Sequence, residues 1–302
     1  MKIVIGADVD PHLPAILDSR PTGDIWLTTD GISTLKALMG AELPPITWLI
    51  RADDSIRFAT GSFASGYESR ARLWLELMGS GHELGWHFHC MSMQSGVNCF
   101  DPDPAWFHEA HQNLSRHFDI RAVRVGWDFG SNRVFDLLEE AKVRVDFSAL
   151  PGNLTWHRCG SVKLVVNWQG CPELPYYPSR QDYRKEGSRD ARAILEIPIT
   201  QFKNDSAGVI RRVCWRVAHG NFSMEGLGHK TRLMTQSWTS LPKLVEPNAE
   251  CWAFYFHPED LTAAGVQNFV ENARRLRAMP GAEFVTASQA LDACARNRRT
   301  HV

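Results

Sequence analysis

Short runs rich in β-branched and aromatic residues recur along this chain, at 2–7, 46–51, 83–89, 121–126, 162–167, 194–200 and 251–257. Segments with helical spacing lie between them, and this alternation predicts strands and helices wound around a largely parallel sheet. Tyr67 to Met78 places Leu73, Leu75 and Met78 among charges, and Asn132 to Lys142 places Val134, Leu137, Leu138 and Ala141 at helical intervals. Ala263 to Ala278 repeats Val266, Phe269, Val270, Ala273 and Leu276; Arg274, Arg275 and Arg277 suit the negative end of a helix dipole, and Pro280-Gly281 stops the helix. Two stretches, 168–193 and 203–250, have weak periodicity and much Pro, Gly, Asn and Tyr, and are read as long loops capping a site. No linker is evident, so residues 1–302 are expected to form one catalytic domain.

Charge excludes some partners. Lys and Arg total 33 against 34 for Asp and Glu, so no global field draws the chain to nucleic acid or an anionic membrane. A small or neutral molecule is the expected partner. No run of 18 apolar residues exists, which excludes a spanning helix. The opening MKIVIGADVD reaches two carboxylates too soon for a signal-peptide core, so a cytoplasmic location is expected. Seven scattered cysteines without a CxxC pair read as reduced thiols.

Four polar clusters end proposed strands, where parallel barrels and open α/β sheets place ligands. Gly6-Ala7-Asp8-Val9-Asp10 closes the first; in extended backbone Asp8 and Asp10 leave one face, and the two carboxylates repel unless a cation or proton lies between them. Gly85-Trp86-His87-Phe88-His89 presents two imidazoles on one face, and with Asp10 these supply the three protein ligands of an open catalytic metal site. His82 precedes that strand and is read as structural or as support for the site. Asp8 is left over as a general base, with Arg124 as a bidentate partner to orient it. Trp252-Ala253-Phe254-Tyr255-Phe256-His257 ends in an imidazole expected to titrate near neutrality and to protonate a leaving amine.

In this order the clusters resemble the motifs of the polysaccharide deacetylase (NodB homology) family, over most of the chain. Pro45-Ile46-Thr47-Trp48-Leu49-Ile50 is similar to the family's second strand, and Arg124-Val125-Gly126 with Asn132 and Leu137-Leu138-Glu139-Glu140 to its Arg-x-Gly segment and following helix. Val145-Asp146-Phe147-Ser148, Leu195-Glu196-Ile197-Pro198 and Phe284-Val285-Thr286 resemble later strands. The resemblance implies a distorted (β/α) barrel of about seven strands. It makes Asp8 the base, Asp10, His87 and His89 the metal ligands, Arg124 the base-orienting residue and His257 the acid. One departure stands out: the family usually spaces its metal histidines four apart, but Met91 occupies that position, so His89 must substitute. Gly-Trp-His-x-His and Leu174-Pro175-Tyr176-Tyr177-Pro178-Ser179-Arg180 resemble a cytoplasmic sub-branch found near surface-polysaccharide genes.

The implied activity is metal-dependent removal of an N-acyl group, acetyl foremost, from an amino sugar or related small amide in surface-polysaccharide or nucleotide-sugar metabolism. The implied cofactor is one divalent ion, Zn²⁺ by default with Ni²⁺, Co²⁺ or Mn²⁺ as alternatives; homo-oligomerisation is left open. Tyr176, Tyr177 and Trp127 are the candidate substrate contacts, with an N–H near Tyr176 on the oxyanion. The loop aromatics Trp168, Tyr183, Trp215 and Trp238 are of a kind that stacks on sugars, and Arg180, Arg184, Lys185 and Arg189 could meet a phosphate or simply be solvated. Two alternatives stand beside this: a cyclic amide or imide hydrolase or deformylase of the same fold, and a non-catalytic sugar-binding protein with a decayed site.

Overall fold

The computed structural model describes residues 1–12, 24–90, 101–159, 162–203, 206–218, 229–238 and 250–299. Its main sheet contains seven parallel strands in the order β11-β1-β2-β3-β4-β5-β8. These are β1 (Lys2–Val9), β2 (Thr47–Arg51), β3 (Glu83–Phe88), β4 (Ala122–Val125), β5 (Val145–Asp146), β8 (Leu195–Glu196) and β11 (Cys251–Phe256). A short strand, β12 (Glu283–Val285), pairs with Lys2–Val4, below the point where β2 joins β1 at Gly6. Beyond β8, Ile199 makes a parallel bridge to Ala253 of β11, which brings the two ends of the sheet together. The result is a distorted (β/α) barrel.

Period-two alternation builds the two faces. In β3 the large residues Leu84, Trp86 and Phe88 are buried, and Trp86 and Phe88 pack on Phe107 of the helix Pro104–Ser115 at ring separations of 4.7 and 5.4 Å. The alternate residues, Gly85 and His87, take the opposite face. Gly6 admits a side chain from across the barrel: a Cβ there would lie 2.2 Å from the Phe147 ring. Helices Asp30–Met39, Ala71–Gly79, Asn132–Glu140 and Ala263–Arg277 cover the sheet through Leu35, Trp74, Leu137 and Phe269, all fully buried. Thr262 caps the last of them by accepting the Gly265 N–H, and its arginines stand in the final turn as expected.

Two expectations need correction. Val162–Asn167 is not a barrel strand: it is β7, paired antiparallel with β6 (Leu154–Cys159) in a separate hairpin. Its β-branched run looks the same whichever partner it takes. The stretch 203–250 is not loop throughout, because Ser206–Ala218 is a helix. Its apolar stripe is weak because Ile210 and Val217 face solvent while Arg216 is buried. Among the described residues no helix is long and apolar enough to cross a membrane.

Candidate active site

Asp8, Asp10, Arg51, His87, His89, Arg124 and His257 all stand at or just beyond the carboxyl ends of parallel strands. Asp8 and Asp10 leave one face of β1, and His87 and His89 leave one face of β3, so strand period alone aims each pair. Asp10 Oδ2 lies 3.6 Å from His87 Nε2, and Asp10 Oδ1 lies 3.6 Å from His89 Nε2. The two Nε2 atoms are 3.1 Å apart, and the three donors all fall within 4.8 Å of one another. His87 Nδ1 meets the Arg124 carbonyl at 2.7 Å; a carbonyl only accepts, so Nδ1 carries a proton and Nε2 is the nitrogen turned toward Asp10 and His89. A carboxylate and two imidazoles this close, with both rings aimed by Nε2, fit a divalent ion.

Charge supports that fit. Burial would raise the Asp10 pKa, but His87 and Arg51 outweigh it and hold the carboxyl below its usual range. Burial, reinforced by Arg51, pushes His89 well below the usual imidazole range, which favours the neutral ring that a metal ligand needs.

Arg124 does not grip Asp8 with both nitrogens as expected. Nη1 donates to Asp8 Oδ2 and Nη2 to Asp128, so the guanidinium bridges two carboxylates, with the Tyr255 ring 3.8 Å from its centre. Asp128 reaches it from a strained turn in which Trp127 and Asp128 have φ of 56° and 55°. Such backbone costs about 1–3 kcal/mol per residue and persists only when neighbours hold it. Here the Trp168 indole N–H donates to the Asp128 carbonyl at 2.7 Å.

His257 Nε2 is 3.7 Å from Asp8 Oδ2, and Nδ1 is 3.5 Å from Asp260 Oδ2. Burial would lower its pKa, but Asp260, Asp8 and Asp10 outweigh burial and push it up to about 9. Titration near neutrality is therefore replaced by a ring protonated through the neutral range. Asp260, one turn beyond the strand end, carried no motif.

The expected substrate contacts divide. Trp127 is half-buried with its ring edge-on to His89 at a centroid distance of 4.8 Å, and Tyr177 is half-buried. Tyr176 is buried at 1% exposure; its N–H goes to the Glu196 carbonyl at 3.0 Å and its hydroxyl to the Tyr183 carbonyl at 2.9 Å. Neither its ring nor its own N–H is left for a substrate. Trp168 and Trp238 are likewise buried. Arg180 grips Glu139 with both terminal nitrogens and Arg184 pairs with Asp182, so neither is a loose phosphate ligand. His82 is structural: Nδ1 accepts the Ile46 N–H at 3.0 Å, and burial lowers its pKa to about 4.

Sequence reasoning missed several members. Arg51 and Asp53 stand behind Asp10 and His89; Asp53 is legible as a helix N-cap, but its charge partner is not. Asp146 of β5 and Glu196 of β8, in register and both buried, form a carboxyl pair beside Arg124. Burial and mutual repulsion push Glu196 well up and burial raises Asp146 to about 6, so the pair shares a proton.

A carboxylate–imidazole cluster, an arginine-held carboxylate and a histidine beside it thus meet in the mouth of a (β/α) barrel. No family model matches this chain, and no curated protein matches it. Solved structures do. One from Mycobacterium smegmatis, assigned as a polysaccharide deacetylase, is 14% identical over 98% of this chain and 91% of that one, with a TM-score of 0.53. A glycoside hydrolase/deacetylase assignment from Parabacteroides distasonis is 13% identical over 96% and 70%, at 0.55. A polysaccharide deacetylase assignment from Pseudomonas aeruginosa is 10% identical over 98% and 91%, at 0.51. At these identities the likeness establishes the fold, the deacetylase-type barrel.

Proposed function

We propose that this chain is a metal-dependent hydrolase that removes an N-acyl group, acetyl foremost, from an amino sugar or related small amide. One observation carries the reading: Asp10, His87 and His89 converge beside an Asp8 held by Arg124, with His257 against that same carboxylate. The deacetylase assignments of proteins with this fold support the substrate class.

Asp10 Oδ2, His87 Nε2 and His89 Nε2 would hold one divalent ion, Zn²⁺ for this donor set, with Ni²⁺, Co²⁺ or Mn²⁺ as alternatives. Such an ion, when bound, polarises an amide carbonyl and acidifies water. The remaining work belongs to side chains. Asp8 Oδ1 is buried without a hydrogen-bond donor, and it takes the proton of the attacking water. Arg124 fixes the other oxygen, so the base cannot turn away. His257, protonated at neutral pH, gives its proton to the departing nitrogen as the C–N bond breaks. The products are a carboxylic acid and a free amine. Trp127 and Tyr177 would flank the sugar, in a cytoplasmic enzyme whose catalytic domain spans residues 1–302.

The test is acetate release from a panel of N-acetylated monosaccharides, oligosaccharides and nucleotide-linked sugars, with elemental analysis of the purified protein. One equivalent of metal, and activity lost on chelation and restored on reloading, is the expected result. Activity of metal-free protein on a cyclic imide would replace this reading with the cyclic-amide one. Sugar binding without hydrolysis would replace it with the binding protein.

A further inference from the structure

Arg51 ends β2 at 1% exposure, in register with His87 of β3. Its guanidinium reaches three groups: Nη1 donates to Asp10 Oδ1 at 2.9 Å, Nε to Asp53 Oδ2 at 2.8 Å and Nη2 to Ser55 Oγ at 3.0 Å. Asp53, fully buried, accepts the main-chain N–H of His89 at 2.9 Å through that same Oδ2. Its other oxygen accepts the N–H groups of Ser55 and Ile56, at 3.0 and 3.1 Å, where the helix Asp54–Thr60 begins. The side chain of one proposed ligand and the backbone of another are thus tied to a single ion pair.

This matters because His87 and His89 are only two residues apart. On a regular strand their Cα atoms stand roughly 6.6 Å apart, so the two rings must lean together before both Nε2 atoms can meet one ion. Here β3 stops at Phe88, and the His89 N–H turns onto Asp53. The His89 ring then tips inward until its Nε2 is 3.1 Å from that of His87. Gly126 makes room for the tipped ring: a Cβ there would lie 2.1 Å from His89 Cδ2 and 2.4 Å from Nε2. Arg51 meanwhile occupies Asp10 Oδ1 and leaves Oδ2, on the His87 side, as the ligand oxygen. A lone arginine so close would oppose a bound cation, but Asp53 supplies the balancing charge.

We propose that Arg51 and Asp53 are positioning residues of the metal centre, holding Asp10 to one ligand oxygen and drawing His89 off its strand so that an HxH pair closes on one ion. The inference rests on the metal reading above and deepens it.

The test compares wild type, Arg51→Lys and Asp53→Asn. Zn²⁺ affinity is measured on apoprotein by competition with a chromophoric chelator, and the visible spectrum is recorded after loading with Co²⁺. Lysine keeps the charge but cannot reproduce the three-way fork. Asparagine caps a helix about as well as aspartate, so a purely structural role for Asp53 leaves metal binding unchanged. Wild type is expected to bind one equivalent, with each variant weakened about 10–100-fold and its Co²⁺ spectrum altered. Wild-type affinity and spectrum in both variants would overturn the positioning role of Arg51 and Asp53 while leaving the metal reading intact. A wild-type protein that binds no metal would overturn both.

Discussion

His87 donates its Nδ1–H to the main-chain carbonyl of Arg124 at 2.7 Å, in register across β3 and β4. The residue whose side chain orients the proposed base therefore uses its backbone to set the tautomer of a proposed metal ligand. The proposed base and the proposed metal centre share one piece of β4, so displacement of that strand would disturb both.

Base and ligand are nevertheless separable by side chain. Asp8→Asn is expected to retain stoichiometric metal and lose about 10²–10⁴ in turnover, the usual worth of a general base. Asp10→Asn is expected to lose both. Elemental analysis beside kcat for the two variants decides the matter, and identical behaviour would show that the division of roles is wrong.

Gly126→Ala tests the seat of His89 without touching a ligand. The new Cβ would fall inside the imidazole, so His89 must move, and metal content and turnover are expected to drop together as in His89→Ala. Unchanged metal in both variants would remove His89 from the centre.

His257 supplies a pH prediction. With its pKa pushed up to about 9, the proton needed by a leaving amine is present below that value and lost above it. Turnover of an amide should therefore fall as pH rises through about 9. In His257→Ala that limb disappears, and turnover drops far more on an amide than on an activated aryl ester of the same acyl group. Equal losses on both substrates would assign His257 to structure or binding.

The Asp146–Glu196 pair predicts how stability varies with pH. Carboxyls whose pKa rises on folding bind protons more tightly in the native state, so native stability falls as pH climbs from the unfolded carboxyl range, about 4, past 6. Glu196→Gln keeps an acceptor for the Ala149 N–H, which Glu196 binds at 2.9 Å, and removes the charge conflict. Its melting temperature should be flatter with pH between 4 and 8 than that of wild type. A parallel profile for the two proteins would mean that the pair shares no proton.

What the residues alone determined is local. A period of two put Asp8 with Asp10 and His87 with His89, and alternating strand and helix patterns announced a parallel sheet. The same local signal misread Val162–Asn167, since a run of β-branched residues does not say whether its partner is a barrel strand or a hairpin. It placed β8 inside the expected run 194–200 but gave no periodic signal for β5, whose two residues carry no period. Tertiary structure decided the rest. Arg51 meets Asp10 across 41 positions, Arg124 meets Asp8 across 116, and aromatic Tyr176 turned inward because its backbone pairs with Glu196. Such meetings depend on which strands become neighbours as the barrel closes, and that is set by burial over the whole chain, not by the spacing of any few residues.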